Sequence, residues 1–175
     1  MITADACAEI GLEVPHLDDS IAHAMDEFLP SYWSRGNPVD MVATISQDAY
    51  LKGLELLLSW EKVDAVISLS GGGGGPLSAL VPDVRKKAEL LIPPETLDGI
   101  SHQLSAARAQ TYQTVCELIE KYKKPILSVG ANLVRGKGES HHDFSIPQFR
   151  TPERAARAAG MLYQYARYRK AVGRE

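Results

Sequence analysis

The segment Val63-Asp-Ala-Val-Ile-Ser-Leu69 runs without a break into Ser70 and five consecutive glycines, Gly71 to Gly75. An apolar run of this length is a strand covered on both faces. The glycines end it with backbone that carries no Cβ and holds no regular element well. A second apolar run, Ile126 to Val129, follows a helical pattern from about Ile100 to Tyr122. In that helix Leu104, Ala107, Thr111, Val115, Leu118 and Tyr122 share a face. Ile146-Pro-Gln-Phe149 is a short last strand. Strands alternating with helices over short connections predict an α/β, three-layer domain with a mostly parallel sheet and helices on both sides.

The flanking segments supply local signals. Residues 3–10 read as a helix with Thr3 as N-cap and Gly11 as the stop. Leu12 to Val14 read as a short strand, and Asp18, Asp19 and Ser20 as caps for a helix through about Leu29. Ser46 caps a helix whose Leu51, Leu54, Leu57 and Leu58 share one side. Thr151 and Pro152 form an N-cap and N1 pair. They open a helix with Ala155, Ala159, Leu162 and Ala166 on one face, ending in a basic stretch whose ordinary reading is a solvated helix end. Between residues 76 and 99 four prolines, Pro76, Pro82, Pro93 and Pro94, break the pattern into short turns.

Length and charge bound the function classes. A chain of 175 residues suits a single domain. Its net charge of −3 gives no basic footprint for nucleic acid or for an anionic membrane surface, and no apolar run spans a bilayer. No signal peptide is visible, and Cys7 and Cys116 have neither CxxC nor metal spacing. Two buried reduced thiols in a cytoplasmic protein are the expectation.

In a parallel sheet ligands collect at the carboxyl ends of the strands. The glycine run lies there. Successive backbone N–H groups free of Cβ obstruction can converge on an anion, and a helix starting near Pro76 to Ser78 would add its positive end. Ser70, Gly71, Gly72, Gly73, Gly74, Gly75 and Ser78 are therefore the candidate phosphate-binding residues, against the plain alternative of a surface loop. The run fits neither the Walker loop nor the dinucleotide fingerprint, since Pro76 and Leu77 follow it. Asn37 and Asp40, in the turn Gly36-Asn-Pro-Val-Asp40, are candidate site-lining residues, although Asn-Pro is a common turn former. His141 and His142 share a polar loop with Glu139 and Asp143. A metal site there competes with ordinary solvated histidines, and no metal is assigned. No catalytic triad can be drawn, so no catalytic residue is assigned.

Several segments resemble the ligase-CoA domain of NDP-forming acyl-CoA synthetases, a domain similar to part of succinyl-CoA synthetase. They are Thr3 to Pro15, Gly36-Asn-Pro-Val-Asp40, Tyr50 through Leu58, Val63-Asp-Ala-Val66, Lys124-Pro-Ile-Leu127 and Ile146-Pro-Gln-Phe-Arg-Thr-Pro-Glu-Arg-Ala-Ala156. The resemblance covers nearly the whole chain. It implies a flavodoxin-like domain, residues 1–175, truncated at its N-terminus: the family domain opens with a strand and a glycine turn ahead of the helix that here begins at Thr3.

The resemblance also implies a reaction, acyl-CoA, ADP and phosphate going to acid, CoA and ATP through a phosphohistidine held elsewhere. The implied partners are CoA-binding, phosphohistidine and ATP-grasp domains or subunits, with Ser70 to Gly75 facing the phosphoryl group. CoA and ATP or ADP are the cofactors of the complete enzyme. None is expected on this chain alone, and the chain is not expected to be active alone. The alternative is a regulatory or interaction domain of a synthetase-like protein acetyltransferase.

Overall fold

The computed structural model describes residues 2–42, 46–69, 92–130 and 144–173. Helix α1 (Ile2–Glu9) ends at Gly11, which takes φ +76°. Leu12 N donates to Cys7 O and Gly11 N to Ala8 O, a Schellman closure. That closure consumes the Leu12 amide, so the strand expected over Leu12 to Val14 does not form. Leu12 instead packs beneath the sheet with Ala65 and Ile67. Helix α2 (Asp19–Asp26) follows, ending earlier than expected because the chain turns at Glu27. Helix α3 (Gln47–Ser59) starts at Ser46, whose Oγ accepts from Ala49 N, as the sequence predicts.

Strand β1 (Val66–Leu69) is shorter than the apolar run that announces it. Val63 N donates back to Trp60 O in the turn closing α3, and the ladder begins only at Val66 N, which donates to Pro125 O. Helix α4 (Pro94–Tyr122) begins about six residues before Ile100, where the pattern predicts its start, because Pro94 opens the helix instead of breaking it. At N1 a proline loses no hydrogen bond, and Pro94 fits there. Lys123 in the left-handed conformation ends α4. Strand β2 (Ile126–Val129) is fully buried, β3 is Gln148–Phe149, and helix α5 (Pro152–Ala171) starts at Thr151, whose Oγ accepts from Arg154 N.

The described strands form an open parallel sheet in the order β1-β2-β3. The fold class is therefore α/β, with a parallel sheet among helices. On one face, α3 and α4 pack Leu54, Leu58, Tyr112, Val115 and Cys116 against Val66 and Ile126. On the other, Ala155 and Ala159 of α5 lie on Leu127 and Val129. A satellite core, Ala22, Met25, Leu29 and Trp33, ties α2 to α3. Cys7 and Cys116 are both buried thiols. The expected stripe on α5 stops short, because Leu162 is half exposed and Ala166 exposed, the helix having passed the edge of the sheet.

Two carboxylates tie neighbouring segments together, Asp18 the lead into α2 to the end of α3, and Glu55 α3 to α4. Asp18 accepts from Lys62 Nζ at 2.6 Å and from Trp60 Nε1 at 2.8 Å, and Glu55 accepts from Lys121 Nζ at 2.7 Å and Tyr122 Oη at 3.0 Å. The lysine hydrogen bond, then the ring donor, holds each carboxyl below its ordinary value. Groups depressed in the fold stabilise it above their unfolded pKa, and that stability is lost as pH falls through the depressed value. The acid limb of a melting-temperature-against-pH curve should therefore be shallower for Asp18→Asn with Glu55→Gln than for the parent. Parallel acid limbs would refute this role.

Candidate functional site

Leu69, Val129 and Phe149 stand in register and end the three strands on one line. Ser70, the first residue of the serine-glycine run, follows Leu69, and Gly130, which opens the loop carrying His141 and His142, follows Val129. Neighbouring strands lie about 4.8 Å apart. The strand ends that lead into the two segments singled out by the sequence thus lie side by side, at the carboxyl edge of the sheet. Gly130 is built for this exit: its φ of +94° suits glycine, and its N–H donates to Phe149 O at 3.0 Å. Ser70 to Gly75, Ser78, His141 and His142 themselves lie outside the described residues.

Asn37 and Asp40 are described, and both are engaged within their own region. Asn37 Nδ2 donates to Pro15 O at 2.9 Å, and Asp40 Oδ1 accepts from Val42 N at 3.0 Å. The peptide bond between Asn37 and Pro38 is cis. Val39, Met41 and Val42 around the turn pack on the satellite core with α2. The observed contacts of Asn37 and Asp40 shape the turn. Among the described residues no His, Cys, Asp and Glu side chains are grouped for a metal ion. No described helix is long and apolar enough to cross a membrane.

The structure adds polar groups that the sequence reading passed over. One residue below the carboxyl edge, Ser68, Ser128 and Gln148 stand in register across the sheet. Side chains alternate along a strand, so Ser68 and Ser128 share the face of Val66 and Ile126, toward α3 and α4. There Tyr50 of α3 hydrogen-bonds Ser68 Oγ at 2.8 Å. Burial pushes the Tyr50 phenol above its ordinary value, so it stays protonated and serves as a hydrogen-bonding group. Ser128 is 1% exposed and, among the described residues, its Oγ has no hydrogen-bond partner. The signal was present: Val-Ile-Ser-Leu69 and Ile-Leu-Ser-Val129 each carry a serine one place before the strand end.

A buried hydroxyl without a partner costs about 1–3 kcal/mol of desolvation. Ser128→Ala should therefore raise the stability of the free protein by about 1 kcal/mol. Thermal unfolding checks this, and a lower melting temperature in the variant would mean that the hydroxyl is bonded in solution.

No protein-family model matches the chain. Over 69 residues, 39% of its length, it is 29% identical to acetate–CoA ligase (ADP-forming) I of Archaeoglobus fulgidus, of which the match covers 10%. Over a match of the same length it is 32% identical to acetate–CoA ligase (ADP-forming) II subunit alpha of Pyrococcus furiosus, of which 15% is covered. The chain thus matches only a small fraction of these relatives' length. Among solved structures, PH0766 from Pyrococcus horikoshii OT3 superposes with a TM-score of 0.57 and 20% identity, over 91% of this chain and 31% of that one. At that identity the likeness is one of fold.

Proposed function

We propose, from its likeness to ADP-forming acetate–CoA ligases, that the chain is a domain or fragment of an ADP-forming acyl-CoA synthetase, contributing a phosphate site at the carboxyl edge of its sheet. The observation that carries the reading is that the strand ends leading into the glycine run and the Gly130 loop lie side by side on neighbouring parallel strands. That edge is where an open α/β sheet binds ligands, and glycine amides suit an anion. Ser70 to Gly75 and Ser78 would hold the phosphoryl oxygens through N–H and hydroxyl donors, and Asn37 and Asp40 would act from a separate turn. The reaction itself, acyl-CoA, ADP and phosphate to acid, CoA and ATP, would need CoA-binding, phosphohistidine and ATP-grasp partners. The protein would work in the cytoplasm.

Gly73→Val tests the site. A β-branched side chain in the run would block convergence of the amides and weaken phosphate binding, while the cores on both sheet faces, built from residues outside the run, keep the melting temperature. Amide chemical shifts followed during a phosphate titration should move at residues 70–75 in the parent and far less in the variant. Shifts that stay still in the parent assembled with its partner domains would dispose of the proposal.

A further inference from the structure

Helix α5 carries two faces. At about 100° per residue, Ala155, Ala156, Ala159 and Gly160 form the buried one. On the opposite side, Arg154, Arg157, Met161, Tyr165, Tyr168 and Val172 follow at spacings of three and four, a continuous stripe turned to solvent. Met161 is 67% exposed, Tyr165 61%, Tyr168 62% and Val172 47%. The helix is exposed on every side, or nearly so, from Met161 onward, so this half projects beyond the sheet. Scattered apolar residues on a surface are ordinary, but four in one helical line form a face that no described residue covers.

Charge identifies what fits it. From Pro152 to Val172 the chain has one carboxylate, Glu153, against five cations, of which Arg154 and Arg157 lie on the stripe, in a protein whose net charge is −3. The helix that α5 already holds has the complementary character. Helix α1 carries Asp5 and Glu9 and no cation, and it meets α5 where the Ile10 side chain presses on Gly160, 3.0 Å from where a Cβ would stand. Two parallel copies of the stripe would bring Arg154 and Arg157 against their own equivalents. Methionine, tyrosine and arginine are the residues enriched in protein interfaces.

We propose that the outward stripe of α5, Arg154 to Val172, is a docking surface for an amphipathic, carboxylate-rich helix of another protein. Its apolar face covers Met161, Tyr165, Tyr168 and Val172, and its carboxylates meet Arg154 and Arg157. The proposal stands apart from the phosphate site.

The test uses the full chain and a fluorescent synthetic peptide with leucines at helical spacing and glutamates between them. The peptide should raise its anisotropy on binding, and Tyr165→Ser with Tyr168→Ser should weaken it at least tenfold. Arg154→Glu with Arg157→Glu should weaken it likewise and confer binding of the matching lysine peptide. The substituted side chains are exposed, and circular dichroism confirms that each variant is folded. No binding up to about 1 mM peptide, equal binding of a scrambled acidic peptide, or variants that bind like the parent would each overturn the proposal. So would self-association in sedimentation, or uptake onto phosphatidylserine-containing vesicles, if the tyrosine variant abolishes it, since the stripe would then serve a second copy or a membrane.

Discussion

Replacing Trp60 with alanine is expected to lower the melting temperature by roughly 6–20 °C. Removing a large buried ring costs about 3–5 kcal/mol, and each kcal/mol moves a domain of this size by about 2–4 °C. Trp60 is 5% exposed and packs in the main core with Leu54, Leu58 and Val66. It is also a junction. Its Nε1 donates to Asp18 ahead of α2, and its carbonyl accepts from Lys124 Nζ at 2.8 Å, just before β2. Truncation therefore opens a cavity and frees Asp18 from one of its two side-chain donors. Trp60→Phe divides the effects: it leaves a smaller cavity than alanine does and loses the indole hydrogen bond, worth about 1 kcal/mol. Should the alanine variant melt within a few degrees of the parent, the junction carries little of the fold.

A strand offered to the outer edge of β1 is expected to raise the melting temperature by roughly 4–12 °C. Among the described residues β1 pairs with β2 alone. Backbone N–H groups alternate in direction along a strand, and Val66 N donates toward β2. The amides of Ile67 and Leu69 therefore point to the far edge. An unpaired edge is a template for another strand, and satisfying two amides is worth about 2–3 kcal/mol, which at about 2–4 °C per kcal/mol gives that shift. The comparison is between this chain and the chain extended by a family-type strand and glycine turn ahead of residue 2. A third form carries proline in the added strand, which cannot complete a ladder. The extended form should melt highest and the proline form close to the parent. Equal melting of all three, with every form monomeric, would show that the edge is closed without a further strand.

The sequence alone determined the local grammar. Ser46 and Thr151 were legible as caps because a side-chain oxygen three residues ahead of a free amide has one obvious use. Gly11 was legible as a stop because α1 closes through a left-handed residue that only glycine takes at no steric cost. The apolar runs gave β1 and β2, since strands covered on both faces need unbroken hydrophobic side chains. Between them, the runs and helices dictated a parallel α/β layering.

Tertiary structure decided what depends on neighbours distant in the chain. It trimmed β1 to Val66–Leu69, since a strand exists only where a partner lies opposite, here from Pro125 onward. It denied a strand to Leu12, whose amide goes to Cys7. It left Leu162 in water, because a periodic stripe is buried only as far as the sheet beneath it reaches. It also set Ser68 beside Ser128, and the exits toward the glycine run and the Gly130 loop beside each other. Sequence spacing is silent on such neighbours: 60 residues separate the two serines, and strand pairing alone brings them together.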